Sequence, residues 1–403
     1  MASAERYKVA ILGGGVVGTS TAYFLASKGL GEGVVVIEGT RIAAGASGKA
    51  GGFLARGWGQ PGVTQELHEK GFDLHEKLAK DLSLESYRKL PTLEVDVLKK
   101  GKGKKAINAA TTPAAKKPKT GDEKDGEHVE TVLLNPSTTK TAMMDEGTAQ
   151  VTPPELMSKL WAKAESGGVT LVVDKVSGLS RLERGGYSIK LSEQDTTIEA
   201  DKVVLAMGPW TSIAEDWEAL DKINIPVTGS AASSMVVHAD PSKKKIAATA
   251  CFCETDPFGN HLELFPRPDN SVYVSGFDDS EPLGKNILRD MGPDEVKSNE
   301  KRVERGKQSF AYVTSGLTDG DERVVLQCCM PPSSQDGVPM IGLLEHDRKD
   351  LFIGAGHSVW GILWGPITGK VLADLVQDGT TDLDLRPFDP LRFSRRSHRA
   401  ARR

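Results

Sequence analysis

The chain has 403 residues, a formal net charge of −4 and four cysteines. That length allows two domains, or one large domain with a subdomain. The charge offers no global field for nucleic acid, the apolar runs fall short of a membrane span, and so few cysteines argue against a disulfide framework.

Met1 to Arg6 is polar and runs straight into an apolar stretch, so no signal peptide is expected. With the low cysteine count, this points to a cytoplasmic protein in a reducing compartment. Tyr7 to Glu38 then reads as one unit. Lys8 to Leu12 is short and rich in β-branched residues, the pattern of a buried strand. Gly13, Gly15 and Gly18 follow in G-x-G-x-x-G spacing. Thr19 to Lys28 has helical pattern, and Val34 to Ile37 is a second buried strand ending in Glu38.

Each piece has a mechanical reason. Gly13 permits the tight strand-to-helix turn, Gly15 lets a pyrophosphate approach the backbone, and Gly18 lets helix and strand pack closely. The helix N-terminus offers N–H groups and partial positive charge to phosphates. Glu38 can accept hydrogen bonds from ribose hydroxyls and would repel a 2′-phosphate, which argues against NADP. Glycines alone would be weak evidence, and a simple structural turn is the alternative. Strand, glycines, helix, strand and acid in order make a dinucleotide site the stronger reading.

Arg41 to Trp58 is too rich in glycine and small residues for a regular element, and its position places it over the cofactor. The alternative is a flexible surface loop. Gln65 to Leu82 reads as an amphipathic helix with Leu67, Phe72, Leu74 and Leu78 near one face. Lys99 to Glu130 holds nine lysines, five acids and almost no large apolar residue. It cannot bury enough surface to offset its ordering entropy, so a mobile insertion over 99–144 is expected. Interleaved acids and the lack of aromatics argue against an anionic-lipid or RNA patch.

Order returns after Gly147, with a helix opened by Pro153-Pro154-Glu155 and a strand reaching Val176. Tyr187 to Leu191 and Lys202 to Ala206 read as strands, and LAMGPW, Leu205 to Trp210, leaves room for a flat ligand. Ile225 to Leu326 has short strands and loops, the pattern of a mostly antiparallel second layer. Pro293 to Phe310 reads as a polar surface helix, and Val324 to Cys328 begins a new strand. LFIGAGHSVW is then strand plus glycine turn, followed by a helix stopped at Gly379. The end, Arg386 to Arg403, has seven arginines and one acid and reads as a solvated tail. Cys251 and Cys253 are C-x-C without a second ligand pair, so no metal is expected.

These motifs together resemble the D-amino-acid oxidase-like flavoprotein superfamily, which includes glycine, sarcosine and fructosyl-amino-acid oxidases. More closely, the chain is similar to a fungal group of FAD-dependent oxidoreductases without a well-defined substrate. The signatures are ILGGGVVGTSTAYFLA, GASGKAGG, GTAQVTPPELMSKLWAKAESGGV, LAMGPW, and DGVPMIG followed by FIGAGHSVWGILWGPITGKVLADL. The likeness covers nearly the whole chain apart from 99–146 and the tail.

The resemblance implies an α/β architecture. A Rossmann-type, glutathione-reductase-like FAD-binding domain would come from 1–98, 145–224 and 327–393. A second, mostly antiparallel β substrate domain would span 225–326, with a basic tail at 394–403. It places Gly13, Gly15, Val16, Val17, Gly18 and Glu38 on the ADP half of FAD. Ala46, Ser47, Lys49, Ala50, Gly51 and Gly52 would run along the ribityl chain and flavin ring. Val176 would bond adenine through its backbone, and Ala206, Gly208 and Trp210 would pack near the diphosphate and ring. Gly356, His357, Trp360, Gly361 and Ile362 would sit at the pyrimidine end, where a helix N-terminus stabilises charge on the reduced flavin.

His357, Arg267 and Trp360 are the candidate catalytic residues, His357 as a further donor or as a histidine satisfied within its turn. Arg267 would bind an anionic substrate group or form a surface salt bridge. Relatives with free α-amino acid substrates carry an arginine where this chain has Met330, before Pro331. A thioether cannot pair with a carboxylate, so such a substrate requires Arg267 or Arg56 instead. In some relatives a cysteine seven or eight residues before the aspartate matching Asp336 carries the flavin covalently. That count reaches Cys329 or Cys328, whose alternative role is structural. The implied activity is oxidation of a C–N bond of an amine or N-substituted amino acid, with hydride passing to flavin N5 and O2 as acceptor. A flavin dehydrogenase with a protein or quinone acceptor, or a flavin-bearing interaction protein, are the alternatives.

Overall fold

The computed structural model describes residues 5–59, 61–98, 133–239, 245–277, 282–315, 317 and 323–394. The lysine-rich 99–130 stretch and the arginine-rich 395–403 end lie outside the described residues. Arg6–Leu12 forms the centre of the first sheet. Its neighbours are Val34–Glu38 on one side and Thr197–Leu205 on the other, both parallel to it. Thr170–Val173 extends the sheet beyond Val34–Glu38, and Leu351–Ala355 extends it beyond Thr197–Leu205. Met340–Leu343 closes that edge antiparallel.

Both faces of this sheet are buried, as a parallel sheet requires. Val9, Ile11, Val34 and Val36 join a core with the helices Val16–Ser27, Pro153–Ser166 and Gly361–Asp378. The alternate residues Ala10, Leu12, Val35 and Ile37 pack against Tyr187, Trp217 and Leu220. The opening and closing helices meet through small residues. A Cβ added at Gly365 would stand 2.5 Å from Val16 Cγ1, and one at Gly369 would stand 2.4 Å from Ser20 Cβ. The closing helix stops at Gly379, whose φ of 71° suits a left-handed cap. By length and composition Ser358–Asp378 could cross a membrane, contrary to the reading of the apolar runs. Of its most apolar 18-residue window, 72% is buried inside the fold.

The second sheet runs Val324–Cys329, Ala232–His238, Ser271–Ser275, Glu263–Pro266, Ala250–Cys253, Arg88–Val97, Thr139–Gln150 and Phe53–Ala55. It is antiparallel except where Ala250–Cys253 runs beside Arg88–Val97. The sheet therefore draws on segments outside 225–326. Thr139–Gln150 lacks a β-branched pattern and is a strand because it pairs along the whole length of Arg88–Val97. Residues 139–144, expected within the insertion, belong to it. A small third sheet holds Pro282–Leu283, Val227–Ser230 and Pro332–Ser334.

Two local expectations are corrected. Arg41 to Trp58 does contain regular structure, a one-turn helix Ala46–Lys49 and a strand Phe53–Ala55. The surface helix starts at Glu300, not Pro293, because the Asn299 side chain caps it by accepting the Arg302 N–H at 3.1 Å. It is also less polar than expected, burying Val303, Phe310 and Val313.

Candidate functional site

A single cavity of about 2530 Å³ takes its walls from both large sheets. At one end stands the opening glycine turn. Gly13 has a φ of 105°, and a Cβ there would meet the Ala206 carbonyl oxygen at 2.4 Å. A Cβ on Gly18 would overlap the Gly13 carbonyl oxygen at 2.0 Å, so helix and strand touch only because it has none. A Cβ on Gly15 would meet nothing but Ser47 Oγ, at 3.2 Å, and this residue lines the cavity. Turn, close packing and open backbone thus fall at the three positions a dinucleotide cradle needs.

Glu38 closes this end. Its Oε2 accepts the Gly14 N–H at 2.8 Å, and its Oε1 accepts the Thr40 N–H at 3.0 Å. The carboxylate is held at the mouth of the strand by its own neighbours. The Asp174 N–H donates to the Glu38 carbonyl, which brings Lys175 and Val176 to the same end. Ser47 Oγ accepts the Val16 N–H at 2.9 Å and pins the glycine-rich loop to the start of the opening helix.

That loop spans the two sheets. Gln327 Nε2 donates to the Lys49 carbonyl at 2.9 Å, and Arg267 Nη2 donates to the Ala50 carbonyl at 3.2 Å. A Cβ on Gly51 would lie 2.6 Å from the Phe265 ring. Arg267 is therefore committed to loop backbone and lies over the Tyr273 ring, 5.5 Å from its centroid, away from the cavity wall. Burial lowers its pKa. Arg56 pairs with Asp73 at the surface and does not line the cavity.

At the far end the strand Leu351–Ala355 leads through Gly356 into the turn that starts the closing helix. His357 is 2% exposed, and its Nε2 lies 2.9 Å from Thr368 Oγ1. Burial drops its pKa to about 3, so the ring is neutral and carries no positive charge to the site. Trp360 stands edge-on to His68 and Trp58, at centroid distances of 4.6 and 6.4 Å. His75 Nε2 bonds the Ile362 carbonyl at 2.8 Å and anchors the helix start from below.

The cavity brings together Gly13, Gly15, Val16, Val17, Glu38, Ala46, Ser47, Ala50, Gly51, Gly52 and Val176. It also reaches Ala206, Gly208, Trp210, Cys329, His357, Trp360, Gly361 and Ile362. Gly18, Lys49, Gly356 and Arg267 stand behind its walls. Trp210 is fixed by donating Nε1–H to the Met291 carbonyl at 2.7 Å. Burial pushes the Cys329 thiol up to about 12, while Cys328 packs off the wall beside Leu288 and Met330.

Sequence reading missed the aromatic end. Phe53, Trp58, His68, Phe252, Glu263, Phe265 and Tyr273 all line the cavity. The signal was alternation along the strands, where Phe252 and Glu263 interrupt apolar neighbours that face the core. His68 was hidden in a helix read as an apolar stripe. Its Nδ1 lies 3.1 Å from Trp364 Nε1 and 3.2 Å from the Thr64 carbonyl oxygen, which fixes the ring between the two helices. Among the described residues no group of three His, Cys, Asp or Glu could hold a metal.

Comparison with known proteins agrees with this geometry. The chain is 27% identical over 410 residues to a Schizosaccharomyces pombe protein named as an oxidoreductase, covering 95% of this chain and 97% of that one. It is 26% identical over 403 residues to the glycine oxidase of Geobacillus kaustophilus, covering 95% and 96%. The crystal structure of glycine oxidase from Geobacillus kaustophilus superposes with a TM-score of 0.73 at 21% identity, over 96% of this chain and 98% of that chain. The model of the FAD dependent oxidoreductase family, DAO, matches residues 8–375. A chain matched over that span, with the glycine cradle, the fixed Glu38 and the closing helix on one cavity, belongs to the DAO family of FAD-dependent oxidoreductases.

Proposed function

We infer that the chain oxidises a C–N bond of an amine or N-substituted amino acid and uses O2 as its acceptor. FAD, when bound, supplies a two-electron acceptor that takes a hydride at N5 and returns the electrons to O2 as peroxide. The observation that carries this reading is the single cavity reaching from the Gly13 turn to Gly361 and on to a wall of aromatic rings.

The chain's own groups divide the work. The Gly13 to Gly18 turn and the start of the Val16–Ser27 helix face phosphate. Glu38 orients the ribose. The first N–H groups of the Gly361–Asp378 helix stabilise negative charge at the ring edge. Phe53, Trp58 and Phe265 exclude water, so the amine that is oxidised reacts in its neutral form and needs no dedicated base. His357, neutral and bonded to Thr368, positions the turn and adds no charge. Burial pushes the Cys329 thiol up to about 12, which disfavours thiolate at neutral pH and so favours a flavin held without a thioether.

The test is anaerobic addition of glycine, sarcosine and a range of primary and secondary amines to purified protein, followed by admission of air. Bleaching of the flavin band, then peroxide equal to the oxygen consumed, is the expected result. Bleaching that persists in air would instead assign a dehydrogenase with another acceptor. No bleaching by any amine would overturn the reading. After acid precipitation the yellow colour should remain in the supernatant. Colour retained by the wild-type pellet and lost in Cys329→Ser would establish a thioether.

A further inference from the structure

The aromatic end of the cavity is rich in carboxylates, with Glu94, Glu254, Asp256 and Glu263 on its wall. Its wall is one face of the second sheet, and strand register sets what that face displays. Phe252 pairs with Glu94 on one neighbouring strand and with Glu263 on the other. Glu263 in turn pairs with Ser275, and in the next row Phe265 pairs with Tyr273. The intervening Leu93, Val95, Cys251, Leu264 and Val274 face the opposite way, into the core. With strands about 4.8 Å apart, the Glu94 and Glu263 backbones stand about 10 Å apart with Phe252 on the strand between them.

The rings form a partial box. Phe252 lies 5.2 Å from Phe53, 5.2 Å from Trp58 and 5.6 Å from Phe265, centroid to centroid. Asp145 fixes Trp58 by accepting its Nε1–H at 2.8 Å. Glu263 Oε2 accepts the Ser275 hydroxyl at 3.1 Å. Burial pushes the Glu263 carboxyl up, a cost that a bound cation offsets by holding it ionised. Beyond Phe252, Asp256 is 3% exposed and lines the same cavity, and its Oδ2 is buried without a hydrogen-bond partner. A buried carboxylate oxygen left open is one that a positive ligand group would satisfy.

Of the described basic side chains on the cavity wall, His261 stands close enough to Glu263 to favour its ionised form, and the others lie further off. Lys175 stands beside Val176 at the Glu38 end, and Arg289 is paired with Asp216. Arg267 lies behind the wall over the Tyr273 ring, with its Nη2 donating to the Ala50 carbonyl.

We propose that the substrate is an amine carrying a second, positively charged nitrogen, a diamine or an amine with a quaternary ammonium head. That charged nitrogen seats against the Phe252 ring between the Glu94 and Glu263 carboxylates. The same acids repel the carboxylate of a free α-amino acid. The assignment rests on the amine-oxidising reading above and narrows it.

The test pairs two probes of similar body and opposite charge. The flavin-loaded protein is titrated with benzyltrimethylammonium chloride and with sodium benzoate, and binding is read from the change in flavin absorption. The ammonium should bind at least about tenfold more tightly, the range a desolvated cation–π contact supplies. Glu263→Gln and Glu94→Gln should each weaken the ammonium several-fold and leave benzoate unchanged or tighter. Flavin content and melting temperature of each variant show that it has folded. Anaerobic reduction by 1,4-diaminobutane should then outpace reduction by glycine or sarcosine, with KM raised in Glu263→Gln. Tighter benzoate binding, with faster reduction by glycine or sarcosine, overturns the proposal and leaves the amine-oxidising reading intact. Reduction by none of these compounds counts against that reading, and the two titrations then decide the charge of the site by themselves.

Discussion

Glu38 ends its strand with both carboxylate oxygens already engaged, one by Gly14 and one by Thr40. The residue therefore shapes the glycine turn as well as lining the cavity. Glu38→Gln should weaken FAD binding about tenfold or more, since hydrogen bonds to a charged acceptor contribute about 1.5–3 kcal/mol, and titration of the flavin-free protein measures this. Three histidines set the acid limit of the fold. Burial lowers His68 and His75 from 6.5 to about 4 and His357 to about 3. Below pH 6.5 the unfolded chain takes up protons that the folded chain refuses. Stability is therefore whole above about pH 6.5 and is lost as pH falls toward 3. Each histidine contributes a loss on the order of 3 kcal/mol by pH 4. Urea midpoints should fall steeply between pH 7 and 4, and His75→Gln should flatten that slope. At this scale the glycines and Glu38 were legible because their reasons are local. Arg267 was not, because its partner, the Ala50 carbonyl, lies 217 residues away.

The closing helix is fitted to the opening one by glycine. Gly369 sits where any Cβ would collide with Ser20, so Gly369→Ala should cost about 1–3 kcal/mol by overpacking despite the better helix propensity of alanine. Gly379→Ala should cost about 1 kcal/mol for its left-handed backbone, with flavin binding unchanged. Denaturant midpoints with and without FAD separate the two effects. The helices and the Tyr7 to Glu38 unit were readable because period, cap and turn residues lie within a few positions of one another. Thr139–Gln150 and Phe53–Ala55 were not, because pairing across the sheet, not their composition, makes them strands. Phe252 and Glu263 showed alternation, which reveals that a strand has two faces but not which of them borders a cavity.

At the scale of the whole molecule, one cavity is walled by both sheets and by segments from both ends of the chain, and FAD held there would tie them together. Removing it should lower stability by mass action, by about 2.7 kcal/mol relative to protein with free FAD at a hundred times its dissociation constant. Melting curves of stripped and reloaded protein measure that difference. The seam between Val16 and Gly365 also bears on biosynthesis. At roughly 5–20 residues per second, a ribosome takes about 20–70 s to travel from the codon for Gly13 to that for Gly361. Throughout that interval the nascent first strands expose a surface whose covering helix has not yet been translated. Flavin capture is then a late event, and the growing polypeptide depends until then on whatever shields it from its neighbours.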